Sequence, residues 1–561
     1  MWFYKREKKS TREIEPDEIF LDSHNLPEFD VHQFEGRLEK PIAIRTVFIV
    51  AVFFIAIGLA YASRLWMLQI AHGEAYAERS EKNRLRHKIF FSERGVVYDR
   101  NDILLARNVP NDDTPDFASR VYSDEPGLAH VLGYVKYPAL DKSGFYYSLE
   151  YSGVAGVEKL YDDELRGKNG LKIIETDALG EIISENIIEP PEPGKNVTLS
   201  IDSEVQSELA RIIKNLSNEV GFEGGAGALM DLKTGELLAL TSIPEFSSDV
   251  MSEGEDEVKI QEYLESSQKL FLNRITGGLY TPGSIVKLFI ALGALKEKII
   301  TPEHEILSTG SISIPNPYDS KKESIFKDWR AHGLVDMRRA IAVSSNVYFF
   351  EVGGGYKDQK GLGIEKIGEY MNLFGFGRPV PYPFFSGEAG VVPSPAWKEK
   401  MFNDVWRLGD TYNTSIGQYG FQITPMQVLL GVAAIATGGR VPEPTLRKVG
   451  KSAEPKKTID IPDEYFQIVR EGMRQGVLEG TAMAVYNDHV AVAAKTGTAE
   501  LGSKKQFVNS WIVGFLPFEK PKYAFVVIME KGPVKNLIGA PYVGRQFLEW
   551  IFVNRWEWFV G

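Results

Sequence analysis

Three residue combinations in this 561-residue chain could carry acyl-transfer chemistry, and the first is a serine followed three positions later by a lysine. That S-x-x-K spacing occurs at Ser266/Lys269, Ser284/Lys287 and Ser324/Lys327. The first and third pairs lie in polar stretches, where both side chains would be solvated. The second lies in "YTPGSIVKLF" (280–289). There Pro282-Gly283 mark a turn, and Ile285, Val286, Leu288, Phe289, Ile290 and Leu292 predict a buried helix. Side chains at i and i+3 share one helix face. Burial disfavours the ammonium form, so Lys287 could serve as a base near neutral pH, which is what a serine hydroxyl needs to become a nucleophile. The lysine could instead run its stem along the helix and reach water, so the pair alone does not decide the chemistry.

Order along the chain decides it. S-x-N occurs at Ser23, Ser184 and Ser344, and K-T-G at Lys233 and Lys495, but only Ser344-Ser345-Asn346 and Lys495-Thr496-Gly497 follow Ser284. The early K-T-G reads as a hairpin turn. The late one ends "HVAVAAKTGTAE", a strand whose edge could line a groove. A second hydroxyl can pass a proton to a leaving amine, and an amide side chain can fix a peptide backbone. A lysine and a threonine on a strand offer charge and hydrogen bonds to a carboxylate, and glycine permits close approach.

These residues need a frame. "RGVVYDRNDILLARN" (94–108) predicts two short strands around Asp99 to Asp102, and "VAGVEKLYDDELRGKNG" (154–170) a short helix stopped by Gly167 and Gly170. The proline-rich join "IIEPPEPGKNVTLSID" (187–202) predicts a domain boundary. Beyond it, "EVQSELARIIKNLSNEV" is helical, "GAGALMDL" and "LLALTSI" flank a hairpin, a long helical middle follows, and "SWIVGFLPF", "YAFVVIMEK" and a closing helix end the chain. This predicts an α+β fold, in which both ends of the domain complete one antiparallel sheet with helices on its faces.

Bulk properties narrow the function. A net charge of −12 with no dense basic stripe argues against a nucleic-acid partner, and zero Cys excludes thiol nucleophiles, disulfides and Cys-ligated zinc. Residues 46–63, "TVFIVAVFFIAIGLAYAS", are uncharged and apolar all round between Arg45 and Arg64, which predicts an uncleaved transmembrane helix. The short N-terminal tail is expected on the cytoplasmic side. The expected organisation is tail 1–45, transmembrane helix 46–63, a β-rich region 64–200 and a catalytic domain 201–561.

The ordered motifs resemble those of penicillin-binding proteins and class A β-lactamases. "RGVVYDRNDILLA", "GVEKLYDDELRGKNG" and "PGKNVTLSID" look like the pedestal of class B penicillin-binding proteins. "GDTYNTSIGQYGFQITPMQ" (409–427) and "KDWRAHG" (327–333) are similar to the elongation-specific penicillin-binding protein 2 type. The resemblance implies an elongated β-rich pedestal followed by a serine transpeptidase domain with an added all-helical region. It also implies D,D-transpeptidation of peptidoglycan. Ser284 would attack the penultimate D-Ala carbonyl, with Lys287 as base, Ser344 and Lys495 assisting proton transfer, and Asn346 holding the peptide amide. Thr496, Gly497 and Thr498 would bind the terminal carboxylate, and β-lactams would acylate the same serine. Backbone N–H groups of Ser284 and Thr498 would form the oxyanion hole.

Implied partners are donor and acceptor stem peptides, β-lactams, the membrane and a polytopic glycosyltransferase of the shape, elongation, division and sporulation (SEDS) family; no cofactor is expected. Residues 64–200 are too few for a glycosyltransferase domain. Departures from the family pattern are Asp102, where a hairpin glycine is usual, the order Tyr419-Gly420, and only about twenty residues between "LLARN" and "HVLGYV" (130–135), where relatives carry a longer head region. Some relatives hold zinc with Asp, His and Cys near S-x-N. Asp328 and His332 remain here, but with Ser345 beside Ser344 and no Cys, no zinc is expected. Rival functions are a β-lactam sensor, a non-catalytic scaffold regulating a glycosyltransferase, and a D,D-carboxypeptidase. One predicted span disfavours the sensor, and the pedestal disfavours the carboxypeptidase.

Overall fold

The computed structural model describes residues 43–72, 85–111, 116–140, 146–149, 151–176, 182–316, 319–380, 387–450, 455–502 and 504–560. The expected tail therefore lies almost wholly outside the described residues. The chain divides into two compact units, Met1–Arg86 with Ile174–Ser184, and His87–Ile173 with Glu185–Gly561.

In the first unit, helix α1 (Ile44–Trp66) continues through a π-helical turn, Met67–Ala71. It starts two residues before the expected span and runs beyond it. None of its residues is buried, and its most apolar stretch has a mean hydropathy of 2.3. Among the described residues it is the one helix long and apolar enough to cross a membrane.

The second unit contains strands β1 (Val97–Tyr98), β2 (Leu104–Val109) and β3 (Ser119–Tyr122), joined by a distant β4 (Val197–Thr198) in the order β4-β1-β2-β3. The turn between β1 and β2 is built by Asp99, whose Oδ1 accepts from the N–H groups of Asn101 and Ile103 at 2.7 and 2.9 Å. Asp102 takes φ +63°, which explains why glycine suits that position. Helices α2 (Ala129–Leu132), α3 (Gly156–Leu160) and α4 (Asp162–Leu165) follow. The single helix expected over 154–170 is thus two, separated by Tyr161 at φ −111°, and Gly170 starts a strand instead of ending a helix. Beneath them Glu158 accepts from Arg94 at 2.6 Å and Arg120 at 2.8 Å, all three side chains almost wholly buried.

Helix α5 (Ser203–Val220) is capped by Asp202, and its first residue donates twice to Asp99, so the β1–β2 turn is bonded to the start of the catalytic region. Strands β5 (Gly224–Asp231) and β6 (Leu237–Ile243) form the expected hairpin, with Gly235 of the early K-T-G at φ +75° in its turn. The helical middle contains α6 (Lys287–Lys296), α7 (Met337–Val343), α8 (Asn346–Gly354), α9 (Leu408–Ser415), α10 (Pro425–Ala436) and α11 (Asp463–Glu479). Strands β7 (Ala493–Leu501), β8 (Phe507–Leu516) and β9 (Tyr523–Pro533) and helix α12 (Ala540–Asn554) close the fold. The sheet order is β6-β5-β9-β8-β7, antiparallel throughout, so both ends of the domain do complete one sheet.

Both sheet faces are apolar because both are covered. Along β9, Phe525, Val527 and Met529 join one core with α5 and α12, while Ala524, Val526 and Ile528 join a second core with α6, α7, α8 and α10. The aromatic residues of α12 thus pack on the sheet, as a core helix would.

Candidate active site

Ser284 sits in a 3₁₀ turn, Gly283–Val286, and α6 proper begins at Lys287. In a 3₁₀ turn residues i and i+3 eclipse, so serine and lysine are brought onto one line. The turn is held from three sides. Gly283 (φ +57°) donates its N–H to Gly417 O at 3.0 Å, Trp511 Nε1 donates to Thr281 O at 3.1 Å, and Tyr280 pairs with Ile423. A Cβ on Gly283 would lie 2.5 Å from Thr498 O, and one on Gly497 would lie 2.8 Å from Pro282 O. Strand β7 therefore runs against the serine turn with no space between backbones.

Lys287 is fully buried, 0% exposed, at the head of the apolar run Leu288–Leu295. Its Nζ donates to Ser344 O at 2.8 Å and Asn346 Oδ1 at 2.7 Å, and lies 3.3 Å from Ser344 Oγ. It does not reach solvent. Burial pushes its pKa down to about 7, partly offset by the negative charge of Asp328. Lys495, also buried, donates to Ser344 Oγ at 2.9 Å and to its own neighbour's carbonyl, Thr496 O, at 2.8 Å. Burial, then the nearby Lys287, lowers its pKa well below the usual lysine value. Ser344 lies between the two amines in the left-handed region, φ +59°, where it ends α7. The next residue, Ser345, caps α8 by accepting from Tyr348 N–H.

The structure thus brings Lys287, Ser344, Asn346 and Lys495 into one hydrogen-bonded cluster one turn from Ser284, with Thr496, Gly497 and Thr498 on the strand beside it. The other S-x-x-K and K-T-G copies stay outside, with one exception: Lys327 O accepts from Asn346 Nδ2 at 3.3 Å. That contact is made through the Lys327 backbone and has no signature in residue type. Tyr419, the second departure from the family pattern, takes φ +63° just after Gly417-Gln418, again a conformation that suits glycine.

Asp328 accepts from Ser345 Oγ at 2.8 Å, Ser308 Oγ at 3.2 Å and Val347 N–H at 3.0 Å. Its Oδ1 accepts from Trp329 N–H at 2.9 Å and lies 3.6 Å from the buried Nε2 of His332. Among the described residues no group of three His, Cys, Asp or Glu could hold a metal ion.

A serine-bearing turn, two buried amines converging on one hydroxyl and a strand edge beside them, set on an antiparallel sheet between two helical layers, define a serine acyltransferase. The chain matches the family described as Penicillin binding protein transpeptidase domain over residues 225–547, and the Penicillin-binding Protein dimerisation domain over residues 113–199. It belongs to the penicillin-binding protein transpeptidase family. It is 28% identical to a peptidoglycan D,D-transpeptidase MrdA of Acinetobacter baumannii, over 88% of this chain and 86% of the relative. Among solved structures it is similar to a penicillin-binding protein 2 of Helicobacter pylori in complex with MreC (27% identity, TM-score 0.68, 84% of this chain and 99% of that one). It is also similar to that of Pseudomonas aeruginosa in complex with WCK 5153 (27% identity, TM-score 0.65, 83% of this chain and 96% of that one).

Proposed function

We propose that this protein is a membrane-anchored peptidoglycan D,D-transpeptidase of the elongation-specific, penicillin-binding protein 2 type. The observation that carries the reading is the convergence of Lys287 and Lys495 on Ser344, beside the Ser284 turn. Lys287 in its neutral form takes the Ser284 hydroxyl proton as the oxygen attacks the penultimate D-Ala carbonyl. Backbone N–H groups of Ser284 and Thr498 stabilise the oxyanion. The proton returns by way of Ser344, polarised by Lys495, to the nitrogen of the departing D-Ala. Asn346 orients the peptide amide, Thr496 and Thr498 bind the terminal carboxylate, and Gly497 lets the ligand approach the strand. An amine from a second stem peptide then attacks the acyl-enzyme ester and releases Ser284. A β-lactam enters by the same first step and forms the same ester.

Helix α1 serves as the single span, with the catalytic unit on the extracytoplasmic side and the division between pedestal and transpeptidase near residue 200. The span is supported by the exposure and hydropathy of α1, and the division by the two separate family matches. A SEDS-family glycosyltransferase would supply the glycan strands. The Helicobacter relative's complex with MreC supports a place in an elongation assembly.

Labelling with a fluorescent penicillin tests the reading. The wild type is expected to label and Ser284→Ala to lose all label. Persistent labelling of Ser284→Ala would remove the nucleophile, and no labelling of either protein would favour a non-catalytic scaffold.

A further inference from the structure

Thr496 does not meet the cleft alone. Its Oγ1 lies 2.7 Å from Oγ1 of Thr481, a residue outside all three motifs. Thr481 follows Gly480 at the end of α11. The Thr481 N–H donates to Ala342 O at 3.1 Å, two residues before Ser344. A Cβ on Gly480 would come within 2.2 Å of that same carbonyl oxygen, so only glycine lets α11 end this close to α7. The backbone of Thr481 is thereby fixed to the S-x-N wall, while its side chain reaches the K-T-G strand.

A carboxylate only accepts hydrogen bonds, and a threonine hydroxyl has one hydrogen to give. With an empty cleft either hydroxyl can donate to the other across 2.7 Å, a normal O–H···O distance. Once Thr496 turns its hydrogen to a ligand carboxylate, only Thr481 can donate between the two. The geometry points to Thr481 as a positioning residue for carboxylate recognition, donating into Thr496 and holding its hydroxyl toward the cleft. This assignment rests on Thr496 being the carboxylate binder. It predicts that removing the Thr481 hydroxyl weakens ligands that carry a carboxylate and spares those that do not.

The test uses the full chain in detergent. Acylation is followed with benzylpenicillin and with its methyl ester, separating the binding constant from the acylation step. Thr481→Val, which keeps the shape, is expected to weaken benzylpenicillin binding by about fivefold to tenfold, the size of one net neutral hydrogen bond. The acylation step and the ester are expected to stay within about twofold of wild type, and Thr481→Ser is expected to restore the acid, because it restores the donor. Equal losses for acid and ester in Thr481→Val, or no loss for the acid, would overturn the positioning role. Should Thr481→Val fail to fold in a thermal melt, Thr481→Ala carries the same comparison. Thr496→Val separates the two readings. If it loses acid and ester alike, Thr496 is not the carboxylate binder and both fall; if it discriminates while Thr481→Val does not, only the inference about Thr481 falls.

Discussion

Among the places where this molecule buries positive charge, two resolve it in opposite ways. In the pedestal, Arg94 and Arg120 are buried against Glu158, and Arg94 also lies 2.8 Å from Asp162. A guanidinium cannot shed its proton, so it is tolerated inside only with carboxylates in contact. In the cleft, Lys287 and Lys495 are as deeply buried, but every hydrogen bond they make goes to a neutral oxygen of Ser344, Asn346 or Thr496. An amine in that position answers by losing its proton, and both lysines are driven downward by burial. The contrast is between guanidinium groups in direct contact with carboxylates, which stay charged, and buried amines bonded only to neutral oxygens, which are driven toward the neutral form even though the charge of Asp328 offsets part of that shift at Lys287.

The comparison breaks most sharply at Lys287→Arg, which keeps a charge but cannot become neutral. Acylation by a fluorescent penicillin is expected to fall by up to about 10⁴-fold in stopped-flow measurements, the upper range for a general base. Glu158→Gln would leave two buried guanidinium groups short of a partner. It is expected to cost about 3–5 kcal/mol of stability in a denaturant titration, with acylation per folded molecule unchanged.

The pH dependence sharpens the same point. With Lys287 at about 7, the acylation rate should decline below neutral pH, by about tenfold per unit once the ammonium form dominates. Stability has the same sign. Between about pH 7 and the ordinary lysine value of 10.5, the unfolded chain holds a proton at Lys287 that the folded chain lacks, so folding gains as pH rises through that window. The smallest effect is expected at the half-exposed pair Arg447 and Glu164, 2.7 Å apart. There Glu164→Gln should change the unfolding free energy by about 0.5 kcal/mol or less.

Legibility in the sequence followed the range of the interactions. The hairpin at 224–243 was readable because its turn, "DLKTGE", and its flanking apolar runs are local. The K-T-G strand was expected from His489 but starts at Ala493. The reason is distant: Ala491 O is taken by Phe518 N–H beyond the end of β8. The pairing of Ser284 with Lys287 follows from helical spacing. The bond from Lys287 to Asn346 joins residues 59 apart and depends on Ser344 turning the chain at positive φ, which nothing about a serine announces. Thr481 carried no sign at all, since a glycine and a threonine after a helix are ordinary residues. The set-aside pair Ser324/Lys327 shows the same limit, because Lys327 meets Asn346 through its carbonyl and any residue could supply that.

The glycines around Ser284 carry a consequence for inhibitors. Gly283, Gly417 and Gly497 bring three main chains together so closely that a methyl group at any of them would come within about 2.1 to 2.8 Å of a backbone oxygen. The main chain beside Ser284 is therefore closely packed on itself, and point changes can alter the surrounding side chains far more readily than the backbone that carries the serine. Drug resistance arising by mutation in this chain should concentrate in those side chains, and a compound drawing its affinity from that backbone should be the hardest to escape.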